Sequence, residues 1–350
     1  MTEIFRRAGG PFFAFALVTL VVACLALTRD YAVPIAVAVL IWFLINALAD
    51  AIRRAPGLDG VVPRWLAQLV SVLLLFGAMA LSVQVVARNV AALGDEVSGD
   101  REVLLGRLES LAAWAGIEID IAPEALFELL QIDRLIGPAF STAQGFLSDM
   151  ALVFLYVLFL LADERFYRVK LEALIANEEK RRAVELSLAR IGNQTRAYLW
   201  LMTLISLGVA LMTYVTCAAV GLKGAGFWGF LAFALNFIPT LGSITAVVLP
   251  VVYGLLTLTD PVALAVLIAV LSATQFVAGE VVLPRVMGDR LNLSSVVILL
   301  VLVMWGAMWG PAGMFLAIPI TVILVMIMGR FDATRPIAIV LSKDGRVPTI

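Results

Sequence analysis

The chain has 350 residues, is 62% hydrophobic and 15% charged, and carries a formal net charge of −1 with no histidine. A soluble domain is about 45–50% apolar and about 25% charged, so this composition excludes an ordinary water-soluble fold, and the near-neutral charge excludes the basic face that nucleic-acid binding requires. The missing histidine removes imidazole triads, H-E-x-x-H metal sites and imidazole proton relays.

The chain also lacks a G-x-S-x-G elbow and a phosphate-binding loop. Cys24 and Cys217 both sit in apolar runs and form neither a disulfide framework nor a zinc spacing. The expectation is therefore an integral membrane protein of the all-α class, without enzymatic chemistry, metal or cofactor.

A spanning helix needs about 20 apolar residues to cross about 30 Å of hydrocarbon. In chain order, Phe12 to Thr28, Pro34 to Ala49, Trp65 to Ala87, Phe146 to Ala162 and Tyr198 to Val220 meet that need. Residues 88–145 interrupt them as an acid-rich insert, in which Leu104, Leu105, Leu108, Leu111 and Ala112 form one apolar stripe of an amphipathic helix. Pro123 opens a second helix there, with Leu126, Leu129 and Leu130 on its apolar side. Residues 163–196 read as a charged helical segment on the membrane surface, with Arg165, Arg168, Lys170, Lys180, Arg181, Arg182, Arg190 and Arg196 among interspersed acids.

Basic residues concentrate on the cytoplasmic side of membrane proteins. Arg6, Arg7, Arg53, Arg54, Arg64, the 163–196 segment and the tail residues Arg330, Arg335, Lys343 and Arg346 place both termini in the cytoplasm. The 88–145 insert, with four basic residues against ten acids, faces outward.

Two apolar stretches do not fit simple spans. Gly226 to Leu258 breaks at Asn236, Pro239 and Gly242; Ser294 to Met328 breaks at Gly306, Gly310, Pro311 and Gly313. Proline removes a backbone donor and clashes with the preceding turn. Each half is about 14–16 residues, or about 21–24 Å of helix, short of the hydrocarbon core. Both are read as re-entrant hairpins or discontinuous helices flanking one ordinary span, Pro261 to Ala278, which brings the total to about eight membrane segments. Paired interrupted segments point to a transporter binding site.

The run Gly229 to Ser243, with Asn236, Pro239, Thr240 and Gly242, resembles the signature of the autoinducer-2 exporter family of permeases. Pro250 with Asp260-Pro261, the block Gln275 to Gly288 with Glu280 and Pro284, and Gly310-Pro311-Ala312-Gly313 to Pro319 are similar to the family's following blocks. Residues 1–225 agree with it in layout only. The resemblance implies a multi-pass permease of the bacterial inner membrane, homo-oligomeric, whose substrate is a small solute: the autoinducer-2 signal in some members, Na⁺ or Li⁺ exchanged for H⁺ in others. Thr240 departs from the aromatic or small residue that the pattern carries after Pro239.

The expected organisation is three spans in 1–87, the insert at 88–145, two spans and the charged segment in 146–225, a transport core in 226–330 and a tail at 331–350. Candidate substrate or ion ligands are Asn236, Thr240, Ser243, Gln275 and Glu280. Asn236 has an equal alternative role as an interhelical hydrogen-bonding amide, and Ser243 and Thr245 as back-bonded hydroxyls. Glu280 either carries a coupling ion or reaches the interface to pair with Arg285. Pro239, Gly242, Pro284, Gly288, Gly310, Pro311, Gly313 and Pro319 shape breaks and hinges, and Asp260 caps a helix. The partners expected are membrane lipid, a small polar solute or monovalent cation, and further copies of the chain. An antiporter and a non-transporting scaffold are the competing functions.

Overall fold

The computed structural model describes residues 19–56, 62–99, 150–287, 293–332 and 334–345. Most of the 88–145 insert, the N-terminal arginines and Gly288 lie outside the described residues. Among the described ones the chain is helical and forms no strand, only an isolated bridge between Leu293 and Ser342. Residues 19–27 are helical, followed by α1 (Arg29–Arg53), α2 (Arg64–Gly99), α3 (150–163), α4 (Tyr167–Leu174) and α5 (Glu178–Ala219). Then come α6 (Ala225–Leu235), α7 (Leu241–Thr257), α8 (Pro261–Phe276), a π-helical segment (Val277–Val282), α9 (Leu283–Met287), α10 (Ser295–Met328) and α11 (Arg335–Leu341). Five helical stretches are long and apolar enough to cross a membrane: Arg29–Arg53, Arg64–Val85, Glu178–Ala219, Pro261–Val286 and Val296–Met328. Length and composition do not make the last of these a single rod, because Gly310 breaks it.

Three elements differ from expectation. The third apolar run continues as helix to Gly99, past the hydrophobic boundary at Ala87. The charged segment read at 163–196 is helical, and from Glu178 it runs unbroken into the fifth apolar run as the 42-residue α5. The 261–278 span is not an ordinary one either, since its α-helix ends at Phe276 and widens into π geometry.

The helix ends follow local chemistry. Asn177 Oδ1 accepts from the Lys180 amide at 3.0 Å, and Glu178 and Glu179 place negative charge in the first turn of α5. At its other end Leu222 N–H reaches Cys217 O at 2.8 Å and Gly221 N–H reaches Ala218 O at 3.2 Å, the paired closure of a helix that ends on a left-handed glycine, here Gly221 at φ 75°. Asp260 caps α8 as expected: its Oδ1 accepts from Val262 N–H at 2.9 Å, with Pro261 at the first helical position.

The residues fall into two compact units. In the unit of residues 43–149 and 196–291, α6 packs on α2 and α7, and α7 packs on α8. Trp228 centres its core with Cys217, Leu222, Leu267 and Leu271. Phe227 meets the Trp228 ring edge-on at 5.0 Å, and Trp228 Nε1 donates to Lys223 O at 3.1 Å. A second cluster joins Val209, Ala232, Ala246 and Ala278, small side chains that let backbones approach closely. In the unit of residues 1–42, 150–195 and 292–350, Trp305 and Trp309 lie 4.8 Å apart and Trp309 Nε1 donates to Leu25 O at 3.0 Å. These tryptophans are core residues rather than interface anchors.

Both broken stretches fold back on themselves. A Cβ built on Gly242 would lie 1.7 Å from Leu235 O, and one on Gly313 would lie 2.0 Å from Trp305 O. A continuous helix separates residues so spaced by about 10–12 Å, so the chain has reversed between them. Gly310, at φ 63° and ψ −146°, makes the second reversal in a conformation open essentially to glycine alone. Gly306, by contrast, stays helical, and Pro250 and Pro319 sit inside helical arms. Gly242→Ala and Gly313→Ala are therefore expected to abolish monodisperse folded protein in gel filtration. Gly208→Ala, in open space on α5, is expected to leave the melting temperature unchanged or raise it, by up to about 1 kcal/mol of stability. Normal folding of both hairpin variants would contradict the fold-back geometry.

Candidate functional site

The first break is a short non-helical link between α6 and α7. Asn236 closes α6, its amide bonded to Ala232 O at 3.0 Å, and Ile238 N–H turns back to Leu235 O at 2.8 Å. Pro239 follows, and Thr240 then adopts φ 63° and ψ −63° while Leu241 N–H bonds Pro239 O at 2.6 Å. This is a γ-turn with positive φ at its centre, a rare and strained form. Threonine is β-branched, for which positive φ is a genuine outlier. Strain of this kind costs about 1–3 kcal/mol and persists only where the surroundings over-determine it.

Asn236 is 8% exposed, and its Nδ2 donates to Ser206 Oγ, fully buried on α5, at 2.9 Å. That is the interhelical role anticipated as one of its two alternatives. Thr240 is exposed on the turn, Ser243 is partly buried, and the Thr245 hydroxyl back-bonds to Leu241 O at 2.7 Å.

Ala278 joins α8 to the same surroundings. It packs with Ala232, one turn before Asn236, and with Val209, close to one turn beyond Ser206. Gln275 lies about one turn before Ala278 on α8. Its Oε1 is buried and has no hydrogen-bond partner among the described residues. Such orphaned acceptors are uncommon and call for an explanation, an unoccupied ligand position among them. Beyond Ala278 the helix widens: Leu283 N–H reaches Ala278 O across five residues, the bond that defines a π turn. Glu280 stands exposed in this segment. It makes no ion pair with Arg285 or with any other described residue. Pro284 lies in α9 just beyond. The structure thus sets the Asn236–Ser206 bond beside one small-residue contact that includes Ala278, with Gln275 one turn before Ala278 and Glu280 on the π turn that follows.

The second break offers different chemistry. Gly310 and Pro311 make the reversal, Gly313 passes against Trp305 O, and the buried Trp305 Nε1 has no acceptor among the described residues. An open groove of about 510 Å³ lies elsewhere, lined by residues of α4 and α5 such as Tyr167, Leu171, Arg182 and Glu185, none of them from either break. Among the described residues no group of three metal-ligating side chains occurs.

Comparison with known proteins agrees with this architecture. Residues 13–332 match the AI-2E family transporter description. The chain belongs to the AI-2E transporter family. It is 29% identical over 314 residues to the AI-2 transport protein TqsA of Escherichia coli, covering 89% of each chain. It is 28% identical to YhhT of the same organism over 65% of this chain and 64% of that protein. YrrI of Bacillus subtilis shares 30% identity over 132 residues. As a member of this family the chain is a multi-pass membrane protein of the transporter class, and the resemblance seen in residues 226–320 extends through nearly its whole length.

Sequence reasoning located both breaks and the Asp260 cap. It missed Ser206, the π segment and the orphaned atoms of Gln275 and Trp305, because each is a consequence of packing. A double-mutant cycle between Asn236→Ala and Ser206→Ala is expected to give a coupling of about 0.6 to 1.7 kcal/mol in thermal unfolding, the range for interhelical hydrogen bonds in membranes. Thr240→Gly in the same assay is expected to raise stability by about 1 kcal/mol through relief of the positive φ. Zero coupling, or destabilisation by Thr240→Gly, would contradict the respective geometry.

Proposed function

We propose that the chain is a secondary transporter that moves a small polar solute, such as the autoinducer-2 signal, across the inner membrane. The observation that carries this reading is the pair of fold-backs in a family of transporters. The arms of the first hairpin have 11 and 17 residues, about 16 and 26 Å of helix, and the arms of the second are similarly short. The 11-residue arm covers only about half of the roughly 30 Å of hydrocarbon, which supports a re-entrant first hairpin, and the fold-back at Gly310 supports the same reading of the second. With the remaining spans they make about eight membrane segments. Irregular backbone at that depth is tolerated only where protein or a water-filled cavity satisfies it, and such a cavity is where a polar solute would bind.

In this reading Asn236, Thr240, Ser243 and Gln275 line the solute position, and the glycines and prolines of the breaks act as hinges for alternating access. Gln275 Oε1 offers an acceptor to a solute hydroxyl. The positive-inside distribution places both termini in the cytoplasm. Self-association buries part of the exposed apolar helix surface. The name TqsA carries an AI-2 transport function for that protein; for this chain the organic signal is a proposal resting on family membership and on the polar groups at the first break.

A second reading, Na⁺ or Li⁺ exchange for H⁺, is favoured by one observation: Glu280 is a carboxylate without an ion pair, in a π turn, within an apolar helical stretch. Carboxylates inside spans mark ion and proton paths, and π turns recur at functional sites. A scaffold without transport is the remaining competitor.

Flux into proteoliposomes separates these readings. Saturable uptake of labelled autoinducer-2, reduced at least tenfold by Gln275→Ala, is the expected outcome. Cation-driven collapse of an imposed pH gradient, lost in Glu280→Gln, would replace it with the antiporter. No flux of signal or cation in liposomes holding monodisperse protein would leave the scaffold.

A further inference from the structure

A polar network joins the C-terminal turns of α1 to the start of α2 and the middle of α5, and it contains a donor that no described residue satisfies. Asn46 and Asp50 lie one turn apart on α1, and Arg53 follows in the last turn on the same face. Asn46 is 3% exposed, and its Oδ1 accepts from Gln68 Nε2 at 3.0 Å and from Arg64 Nη2 at 3.4 Å, both on α2. Asp50 Oδ2 takes Arg196 of α5 at 3.4 Å, in a pair only about a third exposed. The two acceptor side chains of this face are therefore engaged by α2 and α5. Arg53 Nε is buried with no hydrogen-bond partner among the described residues.

Charge points the same way. The residues of this network include three arginines, Arg53, Arg64 and Arg196, and one carboxylate, Asp50, which Arg196 pairs. The first turn of α2 supplies no acid. Leaving a charged donor buried and unsatisfied costs several times a neutral hydrogen bond. An anion with several acceptor oxygens removes that cost, and a guanidinium binds phosphate through parallel N–H bonds. The setting selects the source of the phosphate. Trp65, next to Arg64, is 66% exposed, and Leu66 and Leu69 are exposed beside it. An amphipathic ring above exposed aliphatic side chains marks the depth at which phospholipid headgroups meet acyl chains.

We propose that Asn46, Asp50, Arg53, Arg64, Gln68 and Arg196 form a site for the phosphate headgroup of an anionic phospholipid, with Arg53 as its central ligand and its acyl chains lying along α2. Basic pockets between membrane helices are known to hold such headgroups. The site is independent of the solute pathway: none of its residues belongs to either break.

The test uses the full chain in a zwitterionic detergent, with phosphatidylglycerol, phosphatidylcholine and inorganic phosphate titrated separately while thermal unfolding is followed. Phosphatidylglycerol is expected to raise the melting temperature saturably, and the other two to leave it unchanged. Arg53→Gln is expected to weaken the phosphatidylglycerol response at least tenfold, whereas Arg54→Gln, which removes the same charge from an exposed neighbour, leaves it intact. Equal losses in the two variants would reduce the effect to net charge and overturn the proposal. Equal responses to phosphatidylglycerol and phosphatidylcholine would overturn it as well. A matching response to inorganic phosphate would replace the lipid with a soluble anion. Should Arg53→Gln not fold, native mass spectrometry of the wild-type chain decides alone: selective retention of phosphatidylglycerol over phosphatidylcholine supports the site, and equal retention removes it.

Discussion

At each break the chain returns past a backbone carbonyl so closely that no side-chain carbon fits between. Gly242 lies against Leu235 O and Gly313 against Trp305 O. Everything that distinguishes this molecule from a bundle of plain spans follows from those approaches. They let two apolar stretches reverse within a few residues. They hold Thr240 and Gly310 at positive φ, a strained conformation for the threonine. They also concentrate strained backbone where the surrounding composition is otherwise hydrocarbon-like.

The packing around the first break is arranged to tolerate this. Ala232, Ala246 and Ala278 allow α6, α7 and the end of α8 to meet closely, and Val209 of α5 completes the contact. Against that tight layer the Asn236–Ser206 hydrogen bond fixes α6 to α5. An amide left alone there would be costly, since no water reaches hydrocarbon to replace its partner. The π turn is the complementary device on α8. It accommodates an extra residue after Ala278 and moves Glu280 off the register that a continuous α-helix would give it. Gln275 retains an acceptor that no described residue uses. Strain, close packing and an unmet acceptor thus surround one contact, the combination expected where binding energy is to be collected from a ligand.

Much of this was legible in the residues because proline and glycine act locally. Asn236 to Gly242 and Gly310-Pro311 named the two reversals, and Asp260-Pro261 named a helix start, each through a preference that needs no tertiary context. The halves of α5 were not legible as one helix. Their polarity changes abruptly near Tyr198 because the surroundings change, while the helical hydrogen bonding continues unaltered. Ser206 was invisible for another reason: a serine inside an apolar run usually bonds its own preceding turn, and only tertiary packing offers it Asn236. The π turn carries no composition signature, since Val277 to Val282 would serve equally as ordinary helix. The links of Asn46 to Gln68 and of Asp50 to Arg196 were not legible either, since each joins helices far apart in the chain.

The central claim is that the first reversal lies at membrane depth and opens to water. Thr240→Cys, in a chain whose Cys24 and Cys217 are replaced, tests this by reaction with a membrane-impermeant charged thiol reagent in sealed vesicles. Val266→Cys, exposed on the side of α8, is the lipid-facing control. The account predicts that the cysteine at 240 reacts from one side of the membrane and that the one at 266 does not react. Silence at both positions, relieved only by detergent, would contradict a water-lined break and leave the hairpin as packing alone.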